Sequence, residues 1–190
     1  MALKTFVKIN SVTNLSDARY CAGMGVDQLG FNIDPNNTHY ITEETLSEIT
    51  GWVAGIEVVA EVGTGDNSAY DIVEFNAFKA NSISNVNRAI IQLTIKDAEL
   101  AMNDLKSMNN LEYVLLQEEG ELDISKKERI NNLASHLPIV LGFGIDKDNI
   151  NALLDELNIK GIALSGSDEI RPGFKDYDML ADILEEIEVD

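Results

Sequence analysis

Two glutamates and a histidine are the side chains of this sequence best suited to proton transfer. Glu61 and Glu74 lie in the apolar runs EVVAEV and DIVEFN, and His39 follows the run QLGFNI in the segment PNNTHYIT. Carboxylates and imidazole transfer protons near neutral pH once their surroundings bring the pKa into that range. These three residues are therefore candidates for acid–base chemistry.

A buried lysine should accompany them. Lys8, in the run FVKIN, shares its strand parity with Asn10 and is expected to point to the same side. A lysine inside a core needs a carboxylate partner, and Glu57, Glu61 and Glu74 are the available ones. An ion pair in the core is the preferred interpretation, and a catalytic lysine is the alternative.

Two glycine-containing turns could bind an anion. The segments LGFGID and LSGSDE supply Gly142, Gly144, Ser165, Gly166 and Ser167 as candidate phosphate ligands. Backbone N–H groups in such turns can converge on the oxygens of a phosphate. The alternative, that the glycines only permit tight turns, carries equal weight.

The elements that must position these residues are eight short runs rich in Val, Ile and Leu. Most of them precede a polar turn and a helix-like segment, which indicates parallel strands joined by right-handed crossovers. Eight such units close into a (β/α)8 TIM barrel, whose chemistry lies at the carboxyl ends of the strands. A doubly wound open sheet is the runner-up. The runs are FVKIN (6–10), QLGFNI (28–33), EVVAEV (57–62), DIVEFN (71–76), AIIQLTI (89–95), EYVLLQ (112–117), IVLGFG (139–144) and GIALSG (161–166).

Capping residues support the helices between these runs. Asn14 or Ser16 can cap a first helix, Thr42 a second, and Asp146 or Lys147 the helix in DNINALLDEL. The middle crossovers GTGDNSAY and AFKANSISNVN are short and poor in helix formers, so we expect shortened helices there. No linker or low-complexity segment interrupts the chain, which predicts one domain over residues 1–190.

Composition excludes several classes of partner. Thirty-three acidic residues against fourteen basic ones give a formal charge of -19, which disfavours binding to nucleic acid or to an anionic membrane surface. Cys21 is the only cysteine, so we expect neither an internal disulfide nor a cysteine-based metal site. The sequence shows no signal peptide and no apolar stretch of about 20 residues, and a cytoplasmic protein is expected. The oligomeric state is left open.

The order of the motifs resembles that of the phosphoribosylanthranilate isomerase family of tryptophan biosynthesis. The similarity lies in VKINSVTNLSDA, AGMGVDQLGFNIDPNNTHYIT, PIVLGFGIDKDNI and GIALSGSDEIRPGFKD, at nearly the family's spacing. The resemblance implies a (β/α)8 barrel that catalyses an Amadori rearrangement of a phosphorylated aminoaldose. It also implies a small-molecule, phosphorylated substrate and no cofactor or metal.

The chain departs from that family at the positions that matter for catalysis. By the resemblance, Asn10 stands where the family has a cysteine base, and Gln117 where it has an aspartic acid. Neither amide transfers a proton near neutral pH. His39 stands where the family holds its substrate with arginine, and Phe143 replaces one glycine of the phosphate loop.

Three hypotheses remain. The first is a barrel without the standard isomerase activity, which binds a small ligand, phosphorylated or not, or acts as a regulatory or scaffold protein. The second is an active isomerase in which His39, Glu61 or Glu74 has taken over proton transfer. The third is a different enzyme chemistry on the same barrel.

Overall fold

Eight parallel strands form a closed barrel in the computed structural model, which describes residues 2–63, 69–76, 78, 83–165, 169–171, 174–175 and 178–189. Each strand pairs with the next along the chain, and the last pairs with the first. The predicted barrel is therefore confirmed and the open sheet is wrong. The barrel strands are β2 (Phe6–Asn10), β3 (Gln28–Asn32), β4 (Glu57–Gly63), β5 (Ile72–Phe75), β6 (Arg88–Leu93), β7 (Leu111–Leu116), β8 (Ile139–Leu141) and β9 (Gly161–Ser165).

Five of these strands are shorter than the predicted runs, and two of the differences have a visible local cause. The fifth run ends at Leu93 because the Thr94 side chain accepts a hydrogen bond from the N–H of Asp97 and caps the next helix. The seventh ends at Leu141 because the chain turns away, and Gly144 adopts φ 67°. Short antiparallel ribbons add β1 (Ala2–Leu3) with β12 (Glu188–Val189), and β10 (Glu169–Arg171) with β11 (Phe174–Lys175).

Helices follow most of the strands. They are α1 (Leu15–Gly23), α2 (Glu43–Thr50), α3 (Ile95–Ser107), α4 (Ile124–Ala134), α5 (Ile150–Glu156) and α6 (Asp178–Glu186). Asn14 and Thr42 cap α1 and α2 through their side-chain oxygens, as predicted. The two middle crossovers lie partly outside the described residues.

The start of α5 corrects a prediction. The helix begins at Ile150, with Asn149 at the N-cap position, and not at Asp146 or Lys147. Asp146 closes a turn ahead of it, because its Oδ1 accepts hydrogen bonds from the backbone N–H groups of Asp148 and Asn149, both at 2.9 Å. The backbone N–H groups of Asp148 and Asn149 are therefore bound within the turn.

Apolar side chains cover both faces of the barrel sheet, the face towards the helices and the face towards the barrel interior. Two large clusters lie between the strands and the surrounding helices. A third, smaller cluster alternates with them along the strands and therefore lies inside the barrel. It consists of Val59, Ile72, Ile90, Tyr113, Leu115, Val140 and Ala163, with Phe6 packed against it. In the part of the chain that the structure describes, no helix is long and apolar enough to span a membrane.

Polar residues close the amino end of the barrel. Tyr113 donates its hydroxyl to Gln28 Oε1 at 2.7 Å, and Gln28 Nε2 donates to Glu57 Oε2 at 2.8 Å. Arg88 pairs with both Glu57 and Glu112. We call this layer the floor: Phe6, Gln28, Glu57, Arg88, Glu112, Tyr113 and Lys160.

Candidate functional site

A cavity of about 220 Å³ opens at the carboxyl ends of the barrel strands. Six amide side chains, two hydroxyls and two carboxylates line it, and no Lys or Arg of the described residues does so. It is the candidate site because barrel enzymes place their chemistry at this end. We call its lining the mouth: Asn10, Ser11, Asn32, Asn37, Glu61, Glu74, Asn76, Gln92, Gln117 and Ser165.

Lys8 lies directly beneath the mouth and is fully buried. Its ammonium donates to Glu61 Oε1 at 2.9 Å, to Asn10 Oδ1 at 2.8 Å and to Glu74 Oε2. The predicted ion pair in the core is thus present with two of the three proposed carboxylates, while Glu57 lies in the floor instead. All three ammonium protons are used, so Lys8 has none left for a ligand.

Burial and charge act in opposite directions on this cluster. Burial disfavours the charged form of Lys8, but Glu61 and Glu74 outweigh it and the pKa of Lys8 is raised. Burial raises the pKa of Glu74, against the attraction of Lys8, and Glu61 raises it further. One cation therefore stabilises two buried carboxylates, and Glu74 holds a proton to higher pH than an exposed glutamate.

Glu61 also fixes the chain as it leaves β2. Its Oε1 accepts from the Ser11 N–H at 3.2 Å, and its Oε2 accepts from the Ser11 hydroxyl at 2.9 Å. Ser11 has φ 53°, a left-handed conformation that is strained for a residue other than glycine. Gly30 makes room for this carboxylate, because a Cβ there would lie 1.9 Å from Glu61 Oε1.

Gln117 packs closely against a glycine at the edge of the mouth. A Cβ on Gly142 would lie 2.2 Å from Gln117 Oε1. That oxygen is buried and has no hydrogen-bond partner among the described residues. An unsatisfied buried acceptor is unfavourable unless a ligand or water supplies a donor. Gln117 therefore presents an open acceptor at the edge of the cavity.

The predicted phosphate ligands differ in how available they are to an anion. The Gly142 N–H donates to Leu116 O at 2.9 Å within the barrel, so it is not available to an anion. Gly144 forms a turn with positive φ, and its carbonyl accepts from Asn149 Nδ2 at 2.9 Å. Ser165 ends β9 in the mouth. Gly166 and Ser167 lie outside the described residues.

A larger cavity of about 600 Å³ is remote from all of these residues. It lies between the last turn of α3 and the segments that lead into β6 and β7, so it opens towards the amino ends of the strands. Chemistry in this architecture is not placed there. The smaller cavity at the mouth remains the candidate site.

The chain is similar over nearly its whole length to several N-(5'-phosphoribosyl)anthranilate isomerases. The enzyme of Synechococcus sp. (strain JA-2-3B'a(2-13)) is 26% identical in an alignment of 227 residues, gaps included. The alignment covers 97% of this chain and 91% of that protein. The one from Geotalea uraniireducens (strain Rf4) is 27% identical over 194 residues, covering 90% and 93%. No protein-family model matches the chain.

Solved structures agree in fold. The crystal structure of phosphoribosyl anthranilate isomerase from Thermotoga maritima gives a TM-score of 0.77 at 20% identity and covers 96% of this chain and 98% of that one. The enzyme from Pyrococcus furiosus gives 0.74 at 17% identity, with the same coverage. The chain is thus similar in sequence to phosphoribosylanthranilate isomerases and shares their barrel fold.

A further family structure contains a ligand. That phosphoribosyl anthranilate isomerase was solved in complex with reduced 1-(o-carboxyphenylamino)-1-deoxyribulose 5-phosphate, and its TM-score is 0.73 at 20% identity. It covers 96% of this chain and 98% of its own.

The two positions that the family resemblance assigned to proton transfer meet in the mouth. Asn10 and Gln117 both line the cavity, together with Glu61 and Glu74. His39 is not part of the lining. Its backbone N–H donates to Asn37 Oδ1 at 2.8 Å, and Asn37 itself reaches the cavity.

Sequence reasoning did not single out Ser11, Asn32, Asn37 or Gln92. Strand parity carried a signal for two of them, because Asn32 and Gln92 alternate into the barrel as Asn10 does. Ser11 and Asn37 lie in loops, where the sequence offers no comparable periodicity. Six amides around one cavity became visible only when eight strands were brought together.

Proposed function

We propose that this barrel binds a small ligand, phosphorylated or not, at the mouth and does not catalyse the family's isomerisation. A regulatory or scaffold role would use the same bound state. One observation carries the proposal: Asn10 and Gln117 line the cavity as neutral amides, and Asn10 Oδ1 already accepts a hydrogen bond from Lys8.

An Amadori rearrangement needs one group to remove a proton and another to supply one. Each such group contributes about 10²–10⁴ in rate when its pKa suits the task. An amide does neither near neutral pH. Loss of both groups at two strand ends therefore removes most of the expected rate enhancement.

The phosphate part of the ligand is a separate element of the proposal. The ligand in the related complex carries a 5-phosphate. In this chain the candidate phosphate ligands are Gly144, Ser165, Gly166 and Ser167, with Gly142 as a packing residue. Titration with inorganic phosphate, followed by amide chemical shifts, tests this assignment. We expect shifts at Gly144 and Ser165, and shifts confined to other loops would contradict it.

Isomerase assays test the central statement. We expect no detectable turnover of phosphoribosylanthranilate by the unmodified protein. The double change Asn10→Cys with Gln117→Asp restores two titratable groups and should give weak activity. Adding His39→Arg should raise that activity further, because arginine should hold the substrate more firmly than histidine does. A misplacement of the substrate by about 1 Å can decrease the rate by two orders of magnitude.

A matched control separates chemistry from shape. The pair Asn10→Ser with Gln117→Asn alters the same two positions without adding a group that titrates in this range, and it should remain inactive. A normal enzymatic rate in the unmodified protein would overturn the proposal.

The second candidate is an active isomerase that uses Glu74. The observation in its favour is a buried carboxyl with a raised pKa, whose Oε1 makes no hydrogen bond within the described residues and which lines the cavity. Under this alternative the unmodified protein turns over the substrate and Glu74→Gln abolishes turnover. Under our proposal neither protein does so.

A further inference from the structure

Several hydrogen-bonding groups of the mouth that remain open belong to neutral carboxamides. Among the described residues, the side chains of Asn76 and Gln92 form no hydrogen bonds, and Gln117 Oε1 is buried without a partner. The side-chain contact of Asn10 Nδ2 is long, at 3.5 Å from Ser165 Oγ. Asn76, Gln92 and Gln117 thus offer open carboxamide groups to the cavity, while the side-chain oxygens of Asn10, Asn32 and Asn37 already accept hydrogen bonds.

The charges nearby disfavour an anion in this space. Lys8 is the cation beneath the cavity, and Asn10, Glu61 and Glu74 occupy its three protons. Glu61 and Glu74 line the cavity themselves and repel negative charge, because burial reduces the screening by water. A phosphate or carboxylate placed beside Glu61 and Glu74 is therefore disfavoured.

The open acceptors require a ligand with donors. Gln117 Oε1 needs an N–H or O–H group, and Glu74 Oε1 has no donor within the described residues. A hydroxyl donates to such an oxygen and accepts from a carboxamide NH₂ at the same time. A phosphate dianion can only accept, so it leaves these acceptors unsatisfied.

The size of the space suits a small molecule. The cavity is about 220 Å³, below the range of about 300–1,000 Å³ for drug-sized ligands. A second cavity of about 370 Å³ shares Asn76, Gln92 and Gln117 with it and extends towards α3. The shared amides therefore border both spaces and can bind successive hydroxyls of one ligand.

We propose that the mouth recognises an uncharged polyhydroxylated compound, a free sugar or alditol, in preference to its phosphate ester. This inference rests on the proposed function, because it names the ligand class for the same cavity. Successive hydroxyls donate to Gln117 and Glu74 and accept from Asn76 and Gln92. Recognition by paired donors and acceptors gives selectivity for hydroxyls without a net charge.

A matched pair of probes tests the inference. D-sorbitol and sorbitol 6-phosphate are titrated separately into the protein, and the side-chain NH₂ resonances of Asn and Gln are followed by NMR. We expect sorbitol to shift the resonances of Asn76, Gln92 and Gln117, and the ester to shift them only at higher concentration. Gln117→Met should weaken sorbitol binding by about tenfold or more, the loss expected when a buried acceptor is removed.

Two further variants serve as an independent test and as a control. Gln92→Met removes a second mouth amide and should weaken binding even if Gln117→Met does not fold. Asn36→Ala changes an exposed amide whose hydrogen bonds go only to Asp34, and it should leave binding unchanged.

The possible failures are distinguishable. If the ester shifts the mouth resonances at the same or a lower concentration than sorbitol, the inference is overturned while ligand binding at the mouth stands. If neither compound shifts them, both the inference and the proposed binding site are overturned.

Discussion

The floor and the mouth both place carboxylates beside cations, but in different proportions. In the floor, Arg88 contacts Glu57 at 2.6 Å and Glu112 at 3.0 Å, and Lys160 contacts Glu112 from the other side at 2.7 Å. In the layer beneath the mouth, one buried lysine serves two carboxylates. Polar groups of the floor are satisfied within the protein, whereas Gln117 Oε1 in the mouth is not.

The pKa values record the same difference. Hydrogen bonds from Arg88, helped by Lys160, lower the pKa of Glu112 to about 2. Hydrogen bonds to Glu57 and Glu112 raise the pKa of Arg88. Burial instead raises the pKa of Glu74 at the other end. The floor thus favours charged forms and stabilises the fold, while the mouth retains a buried acceptor, Gln117 Oε1, without a partner among the described residues.

The largest expected effect is that of Lys8→Met. Removal of the lysine leaves two buried carboxylates without a cation, and we expect a loss of about 3–5 kcal/mol in the free energy of unfolding at pH 7. The loss should shrink as the pH falls, because burial raises the pKa of Glu74 and its protonation removes one of the two charges. Urea denaturation at pH 7 and at pH 5 measures the two values.

Arg88→Met is the matched change in the floor. The Arg88 side chain is 32% exposed, so we expect a loss of only about 1 kcal/mol. If Arg88→Met costs more than Lys8→Met, the two ends of the barrel do not differ as described.

The next test concerns the contact between Gly142 and Gln117. In Gly142→Ala the new Cβ would lie 2.2 Å from Gln117 Oε1 and 3.1 Å from Leu116 O, so Gln117 must move. We expect a loss of about 1–3 kcal/mol in the free energy of unfolding, together with shifted Gln117 NH₂ resonances. Gly23→Ala is the control, because a Cβ there meets nothing within 4 Å. Equal stability of the two variants would show that the contact is not restrictive.

Much of this architecture follows from the sequence. The eight apolar runs predicted the barrel because each run is long enough for one strand and is separated from the next by a turn or helix. Strand parity placed Lys8 and Asn10 on one side, and the need of a buried lysine for a carboxylate named Glu57, Glu61 and Glu74, of which the last two are its partners. These predictions depend on alternation within a strand, which the sequence displays directly.

The remaining features depend on register between distant strands. Gln117 approaches Gly142 because β7 and β8 pair with Leu116 opposite Leu141, and one sequence does not reveal such a pairing. The strain at Ser11 is likewise invisible, because it requires the carboxylate of Glu61 on another strand. The start of α5 was misplaced because Asp146 closes a turn with a side-chain pattern that resembles a cap.

Ser11 offers a smaller test at the mouth. Both Ser11→Gly and Ser11→Ala remove the hydroxyl bound to Glu61, but only glycine removes the strain of φ 53°. We expect the glycine variant to be more stable than the alanine variant by about 1 kcal/mol. Thermal or urea unfolding of the two proteins gives the difference directly. Equal stabilities would show that Glu61 does not hold a strained backbone.

The last test lies in the floor, at Glu112. Its side chain is 20% exposed, and we expect Glu112→Gln to lower the free energy of unfolding by about 1 kcal/mol at pH 6. The pKa is about 2 in the folded protein against an ordinary value of 4.5, so the unfolded chain binds the proton more readily. The carboxylate therefore stabilises the fold fully above pH 4.5, and this contribution is lost as the pH falls towards 2. The difference between Glu112→Gln and the unmodified protein should shrink over that window.

Glu119→Gln is the control. Glu119 is an exposed glutamate with no ion pair among the described residues, and this variant should show no such convergence. A constant difference from pH 6 to pH 2 would mean that Glu112 acts through packing and not through its charge.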